Sequence, residues 1–554
     1  MESQKPIKWL WNRSKGQGPK MLALILSNVL FAGASVLFAF AVQGVVNGAE
    51  NGSMSAITKY SIMLGIIVAS QFGLRVLING LTERIQAEIE MSIKSYLFDK
   101  IIGKEYGSIN KYHSGELMTR LSSDVTIVSD GVTSIVPSIV SAVSRLIGAV
   151  IALCVIDGVF AIAFVVAGVL VFTVISLLRT KLKNLHKLAQ KTDGLNRSFM
   201  QESIENILAI KVFNAGENIS EKSAKLQKEN FRVKMIRKNY SVFGHATYNL
   251  IFSGGYIFAL IYGTIKIVGG TLNYGSLMAI LQLVNNVQVP FMSLSNVVPK
   301  YFGMTASAER LIEIEEVKEE VHREPVDKLQ TYQDMESVVF DNVTFAYDRD
   351  DVIKNSSLTI NKGDFVAITG ISGVGKSTLL KLLLGVYQPN EGEIYLSGKF
   401  GKINVDNSTR SLFAYVPQGN LIFSGTIRDN VTFTKAQASD EEIYEALRIS
   451  GAEEFVKSLP EGLDTNIGER GLGLSEGQVQ RIAIARAMIL GASFLLFDEA
   501  TSALDEQTER ELLSNLKALD GITLVIISHK KSALSICNRH ISIEEGSILE
   551  ENIS

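Results

Sequence analysis

The order of apolar and polar positions divides the chain in two. Through residues 1–300 the apolar positions run together in long stretches with few charges, whereas over 335–554 they alternate with polar ones as in a globular domain. Six apolar segments stand out, at 21–49, 60–82, 131–156, 158–178, 239–265 and 267–299. The first has no charged residue and, at ~1.5 Å per helical residue, exceeds the ~30 Å hydrocarbon core of a bilayer. It is too long for a signal-peptide core and lacks a small-residue cleavage pattern, so it reads as a retained membrane helix. Arg75 interrupts the second segment and Arg145 the third.

The connections alternate in charge. The amino-terminal stretch holds Lys5, Lys8, Arg13, Lys15 and Lys20, and the stretches 83–130 and 179–238 are rich in Lys and Arg. The connections at 47–59, 156–158 and 266–275 are short and nearly free of them. The positive-inside tendency then predicts both termini in the cytoplasm. The two long basic connections predict membrane helices continued into the cytosol and folded back, those of 179–238 being about 30 residues and ~45 Å each. Residues 1–20, with Trp9 and Trp11, predict an interfacial elbow helix rather than a leader-cutting peptidase.

Composition sharpens this picture. The chain has 554 residues, 47% of them hydrophobic and 20% charged, with a net charge of −3, which fits a membrane protein and gives no nucleic-acid footprint. Cys154 and Cys537 fall in different halves and form neither a disulfide framework nor a zinc pattern.

Chemistry enters at Gly370-Ile371-Ser372-Gly373-Val374-Gly375-Lys376-Ser377-Thr378, which fits G-x-x-x-x-G-K-[ST] between a predicted strand (365–369) and a predicted helix. Glycines there let backbone N–H groups point at a phosphate, Lys376 can reach the β- and γ-phosphates, and Ser377 can ligate Mg²⁺. Further on, Phe494-Leu495-Leu496-Phe497 is a buried-type strand ending in Asp498, a hard oxygen donor suited to Mg²⁺, and Glu499, placed to act as a general base toward water. Around them lie Tyr415-Val416-Pro417-Gln418, Leu474-Ser475-Glu476-Gly477-Gln478, Ser502-Ala503-Leu504-Asp505 and a strand running into Ser528-His529.

Taken in chain order, the six motifs resemble those of the ABC transporter ATPases, over nearly all of 335–554. The resemblance implies Walker A at 370–378, the Q-loop at Gln418, the signature at 474–478, Walker B at 494–499, the D-loop at 502–505 and the switch His529. It implies ATP and Mg²⁺ as cofactors, with Ser372, Gly373, Val374, Gly375, Lys376, Ser377 and Thr378 on the phosphates and Tyr347 stacked on adenine. Ser377, Gln418 and Asp498 would serve the metal, and Glu499, His529, Gln418 and Lys376 the reaction. Ser475, Gly477, Gln478 and Asp505 would complete the site of a second copy. Thr465 to Gly471, with Glu469, resembles the cross-loop of exporters. The signature departs from the family pattern in one place, where Glu476 replaces the first glycine.

The membrane half resembles exporter half-transporters, through looser matches at 112–125, 202–213 and 306–310. The resemblance implies an all-α polytopic membrane domain plus an α/β P-loop NTPase domain of ABC type: elbow 1–20, transmembrane domain 21–315, linker 316–334 and ATP-binding domain 335–554. It also implies a dimer, homodimeric or heterodimeric, in the cytoplasmic membrane of a bacterium; since this chain supplies every motif for two identical sites, a homodimer is expected ahead of a heterodimer. Expected partners are membrane lipids and an amphipathic small molecule or peptide, and no nucleic acid. Candidates for the substrate cavity are Arg145, His245, Asn249, Gln282, Asn285 and Asn286. For Arg145 an ion pair, and for the amides interhelix hydrogen bonding, are equally good readings. The expected function is ATP-driven export by alternating access, with a lipid flippase or a nucleotide-gated regulatory protein as alternatives.

Overall fold

Long uncharged runs cannot leave their backbone polar groups unpaired in lipid, so they become helices, and in the computed structural model they do. The structure describes residues 6–347, 350–419, 422–468, 471, 473–519 and 521–551, without the side chains of 171, 172, 174–176, 178, 179, 245, 285, 289, 291, 292, 295, 296 and 551. They fall into two units: 6–102 with 113–316, and 103–112 with 317–551.

The first unit is helical. It contains α1 (Pro6–Ser14), α2 (Gly18–Glu50), α3 (Met54–Ile102), the short α5 (Ser114–Thr119), α6 (Val125–Ile156), α7 (Gly158–Glu205), α8 (Ile207–Val212), α9 (Gly216–Val268) and α10 (Tyr274–Glu316). The four-residue α4 (Tyr106–Ile109) belongs to the second unit. Among the described residues four helical stretches are long and apolar enough to cross a membrane: Pro6–Glu50, Met54–Ile102, Ser114–Ile156 and Gly216–Val268. Gly158–Leu170 is a shorter apolar stretch. The break between the last two long helices differs from the sequence expectation. Lys266 is not a loop residue but lies inside α9, where its ammonium meets Asp157 at 2.8 Å; the turn comes at 269–273, where Gly270 adopts a φ of +69°. Asp157 also caps α7 by accepting from Val159 N at 2.9 Å, so a one-residue connection reverses the chain between α6 and α7.

Two apolar clusters hold this unit. One gathers Leu153, Phe160, Phe164, Phe252, Ile280 and Leu283 from α6, α7, α9 and α10. The other joins Trp9 and Leu24 to Ile85, Ile89, Ile93, Val128 and Leu311. The cytosolic extensions of α7 and α9 pack on each other, tied by Asp193, which accepts from Lys234 at 2.6 Å and Asn230 at 2.9 Å. Their tip exposes Leu208, Val212 and Phe213.

In the second unit, α11 (Lys328–Asp334) leads into a four-stranded antiparallel sheet, ordered β2 (Asp351–Asn361), β1 (Met335–Ala346), β4 (Glu391–Gly398), β5 (Gly401–Asn404). A six-stranded sheet has the order β12 (Ser547–Glu551), β11 (Arg539–Glu544), β3 (Phe365–Thr369), β10 (Thr523–Ile527), β9 (Phe494–Asp498), β6 (Phe413–Val416). Five of these strands are parallel and β12 pairs antiparallel at the edge. Every residue of β9 and β10 is buried, as parallel strands covered on both faces require. A two-stranded ribbon of β7 (Gly425–Thr426) and β8 (Asn466–Ile467) sits beside α13 (Ile427–Val431), α14 (Asp440–Ile449) and α15 (Glu453–Ser458). The remaining helices are α12 (Lys376–Leu383), α16 (Glu476–Ile489), α17 (Glu506–Lys517) and α18 (Lys531–Ile536).

Candidate functional site

The carboxyl ends of β3, β9 and β10, which are neighbours in the sheet, bring the sequence-predicted residues to one edge, where open α/β sheets bind ligands. After β3 the loop turns on glycines. Gly375 has a φ of +114°, and a Cβ there would lie 2.7 Å from Val352 Cγ1, so no other residue fits. Lys376 is buried and folds back on its own loop, its ammonium donating to Gly370 O at 2.6 Å and Ile371 O at 3.1 Å. Ser372, Gly373 and Val374 form the turn, and α12 begins at Lys376, its first N–H groups directed into the loop. A phosphate would gain these donors and the helix dipole together.

Asp498 ends β9 and is 2% exposed. Ser377 Oγ donates to its Oδ1 at 2.9 Å and Tyr415 Oη to its Oδ2 at 3.2 Å. Burial pushes this carboxyl above the ordinary range, outweighing the two hydroxyl donors. No lysine or arginine among the described residues forms an ion pair with it. A buried carboxylate held only by hydroxyls, facing a serine, fits a hard divalent cation.

Glu499 adopts a φ of +51°, a strained value for a residue with a Cβ, fixed by Glu499 N donating to Ile527 O at 3.2 Å. Its carboxylate accepts from Gln418 Nε2 at 2.7 Å. Gln418 therefore sits on Glu499 rather than on Asp498 or Ser377. His529 is exposed just past β10. Tyr347 is 45% exposed and shares a hydrogen bond with Thr378 Oγ1 at 2.9 Å, which orients its ring beside the loop.

The signature opens α16 by a local rule. Ser475 and Gln478 form a capping box, Gln478 N donating to Ser475 Oγ at 3.3 Å and Ser475 N to Gln478 Oε1 at 2.8 Å. Both side chains shape the helix start, and the serine keeps its O–H to donate. Glu476 is exposed at the first helical position, and a Cβ on Gly477 would lie 3.0 Å from Ala503 O. Ser475, Glu476, Gly477, Arg481, Leu504 and Asp505 line a cleft of about 440 Å³ that holds no residue of the phosphate loop. Asp505 caps α17 through Thr508 N at 3.0 Å.

Residues 21–291 match the ABC transporter transmembrane region and residues 353–502 match the ABC transporter family proper. A Rickettsia felis protein carrying the name export ATP-binding/permease protein is 30% identical over 96% of this chain and 92% of its own length. The chain belongs to the ABC transporter family. A Syntrophus aciditrophicus protein named ATP-dependent lipid A-core flippase is 30% identical over 86% of this chain and 78% of its own. In solved structures, a bacterial Atm1-family ABC exporter with ATP bound shares the fold, with a TM-score of 0.79 and 24% identity over 96% of this chain and 95% of that one. The ABC transporter therefore binds ATP and couples its hydrolysis to movement across the membrane, as an exporter.

Several residues of the transporter's ATPase half escaped sequence reasoning. Lys530 donates to Thr501 O at 2.8 Å and Leu504 O at 2.7 Å, and Gln480 donates to Ser502 Oγ and accepts from Ala503 N, both at 3.0 Å. Together they fix the 502–505 loop. The second unit also draws in Tyr106 of α4. Its ring meets Tyr387 edge-on at 5.7 Å, and Tyr387 meets Tyr347 at 5.2 Å and Phe345 at 5.4 Å. This aromatic chain runs from a connection between two membrane helices to the residue expected on adenine.

In the helical unit two loosely matched motifs meet. Asp124 accepts from Ser307 at 2.9 Å and from two nitrogens of Arg310, one at 2.8 Å, while Arg120 donates to Arg310 O at 2.6 Å and pairs with Glu116 and Glu313. Burial pushes the Asp124 carboxyl up, but the bonds from Arg310 and Ser307 outweigh it and hold it below the ordinary range. Glu315 accepts from Trp9 at 2.5 Å, Arg13 at 3.1 Å and Tyr96 at 2.7 Å, pinning α1 to α3 and α10.

Of the cavity candidates, His245 and Asn285 have side chains outside the described ones, as Glu469 and Arg470 of the 465–471 segment lie outside the described residues. Asn286 donates to Ser35 O at 3.1 Å, an interhelix bond. Asn249 is exposed and Gln282 half-buried. Arg145 lies over the Phe31 ring at 5.1 Å. A mid-span cation costs ~2.5–3.5 kcal/mol on insertion scales, and a ring contact returns only ~0.5–2 kcal/mol.

Proposed function

We propose that two copies of this chain form a homodimeric exporter that moves an amphipathic substrate out of the cytoplasm by alternating access. The observation that carries the reading is the split of the machinery within one copy. The phosphate loop, Asp498, Glu499 and His529 share one sheet edge, while the signature cleft holds no phosphate-loop residue. A second copy placed face to face would complete each site, with Ser475 and Gly477 donating to the terminal phosphate. The exposed Leu208, Val212 and Phe213 and the stacked, exposed Phe423 and Phe433 fit contacts between copies. Six membrane-spanning helices with both termini in the cytoplasm and the 21–315, 316–334 and 335–554 divisions complete the arrangement.

Ser377 and Asp498 would hold Mg²⁺, which when bound neutralises phosphate charge. Tyr347 receives the adenine, and Lys376 leaves its carbonyl partners for the phosphates. Glu499, steadied by Gln418, accepts the proton of the attacking water, and His529 orients the terminal phosphate. ATP favours the closed dimer because only there are both halves of each site assembled.

The test is Glu499→Gln in inverted vesicles. Turnover is expected to fall by ~10²–10⁴-fold while ATP still binds. Undiminished uptake in that variant would refute coupled transport. Flipping of a lipid is the second reading, favoured by the flippase relative and by two arginines in the apolar segments.

A further inference from the structure

The helical unit contains two cations whose surroundings ask for an anion. Arg75 on α3 and Arg145 on α6 approach the same ring, Phe31 of α2, with guanidinium carbons 6.0 Å and 5.1 Å from its centroid. Neither has a carboxylate partner among the described residues. Arg145 Nε is fully buried and donates to nothing. The residue therefore does not simply reach for water along the lipid face, as a snorkelling arginine would. Arg145 sits eleven residues before the end of α6 at Ile156, or ~16 Å of helix, which places it deep in the apolar layer.

Two like charges sharing one ring repel each other, and the ring covers only part of the cost of holding them there. The turn of α2 that carries Phe31 is fixed from both sides. Ser35 Oγ donates to Phe31 O at 2.9 Å, and Asn286 of α10 donates to Ser35 O at 3.1 Å. Phe72, three residues before Arg75 and so on the same side of α3, is large and exposed.

We propose that Arg75 and Arg145, walled by Phe31, form one binding site for the anionic headgroup of an amphiphile, a phosphate or carboxylate carried on an apolar tail. The planar guanidinium forks suit such oxygens, and a doubly cationic pocket discriminates against cationic or neutral heads. Phe72 takes the first part of the tail. The site names the substrate class of the exporter and rests on the transport reading above.

The test reads binding to the full chain in nanodiscs of zwitterionic lipid, without ATP, using the fluorescent carboxylate 11-(dansylamino)undecanoic acid with empty discs subtracted. Dodecyl phosphate should displace the probe, and dodecyltrimethylammonium or dodecyl maltoside should not. Inorganic phosphate alone should displace it no better than chloride. Arg145→Gln and Arg75→Gln should each weaken probe binding by about tenfold or more, and the double variant should bring it to the empty-disc level. Arg145→Lys should recover only part of the affinity, since the charge is retained and the planar fork is lost.

Equal displacement by the cationic or neutral detergent would overturn the proposal on the unaltered protein, whatever the variants do. Displacement by inorganic phosphate alone would overturn the amphiphile and leave a free anion in its place. Glutamine variants that bind the probe as the parent does, while eluting as intact dimers, would overturn the assignment to these arginines. Failure here leaves the transport reading standing, whereas uptake that survives Glu499→Gln removes that reading and leaves these binding results untouched.

Discussion

Removing the Asp124 carboxylate is the sharpest stability experiment the helical unit offers. The carboxylate is 4% exposed and receives Ser307 and a forked Arg310, whose side chain is 46% exposed. In Asp124→Asn the Arg310 fork loses its counter-charge, and the buried Ser307 hydroxyl is left with a weaker acceptor. Breaking a fully buried pair costs ~3–5 kcal/mol, but Arg310 can turn to water, so about 2–4 kcal/mol is expected. At roughly 2 °C per kcal/mol for a unit of this size, that is a fall in Tm of about 4–8 °C. The assay is built in. Trp9 and Trp11 are the chain's two tryptophans, and Trp9 packs where α1 meets Glu315, on the same end of α10 as Arg310. Intrinsic fluorescence on heating therefore reports this region. Replacing both partners by apolar residues, Asp124→Leu with Arg310→Met, should recover part of that loss, because no stranded charge remains and only the buried Ser307 hydroxyl lacks its acceptor. A single variant that melts with the parent, or a double variant that loses the sum of both singles, would show that this pair does not hold α6 to α10.

Further outcomes follow from the ATPase half and the stalk. Tyr387→Ala should raise KM for ATP several-fold while kcat stays within about twofold, and Tyr387→Phe should restore KM, because ring packing behind Tyr347 rather than the hydroxyl is at stake. Asp498→Asn should abolish Mg²⁺-dependent turnover yet raise the metal-free melting temperature, since burial already disfavours the charged form of that carboxyl. Glu476→Gly should strengthen ATP-driven dimer closure at low salt, with the difference fading above ~0.5 M salt as the carboxylate's repulsion is screened; a gap independent of salt would contradict this. For Asp193, the bonds from Lys234 and Asn230 lower the pKa from 3.8 to about 2, so its contribution to α7–α9 pairing is complete above 3.8 and is lost as pH falls toward about 2. Hydrogen exchange of residues 185–205 should rise over that window, and Asp193→Asn should remove the dependence.

What the sequence made legible depended on how local the governing physics is. Phosphate chemistry leaves little choice at Lys376, Ser377, Asp498 and Glu499, so these could be read without a fold, whereas the capping box at Ser475–Gln478 emerged only with the structure. The break between α9 and α10 could not, because Lys266 looked like a loop charge when its partner was Asp157, 109 residues away. The same distance problem hid Tyr106. Nothing within 103–112 says that this short connection belongs with residues 317–551, yet Glu105 N donates to Lys318 O at 3.0 Å, Glu320 N to Gly103 O at 3.0 Å, and a Cβ on Gly107 would lie 2.8 Å from the Tyr387 ring. A larger residue there would have to push the Tyr387 ring aside, so the connection packs as part of the ATPase unit. In the chain this connection follows directly on α3, which ends at Ile102. Gly107→Val should therefore uncouple transport from ATP turnover while leaving ATP binding within about twofold, and a variant that still transports at the parental ratio would break this link.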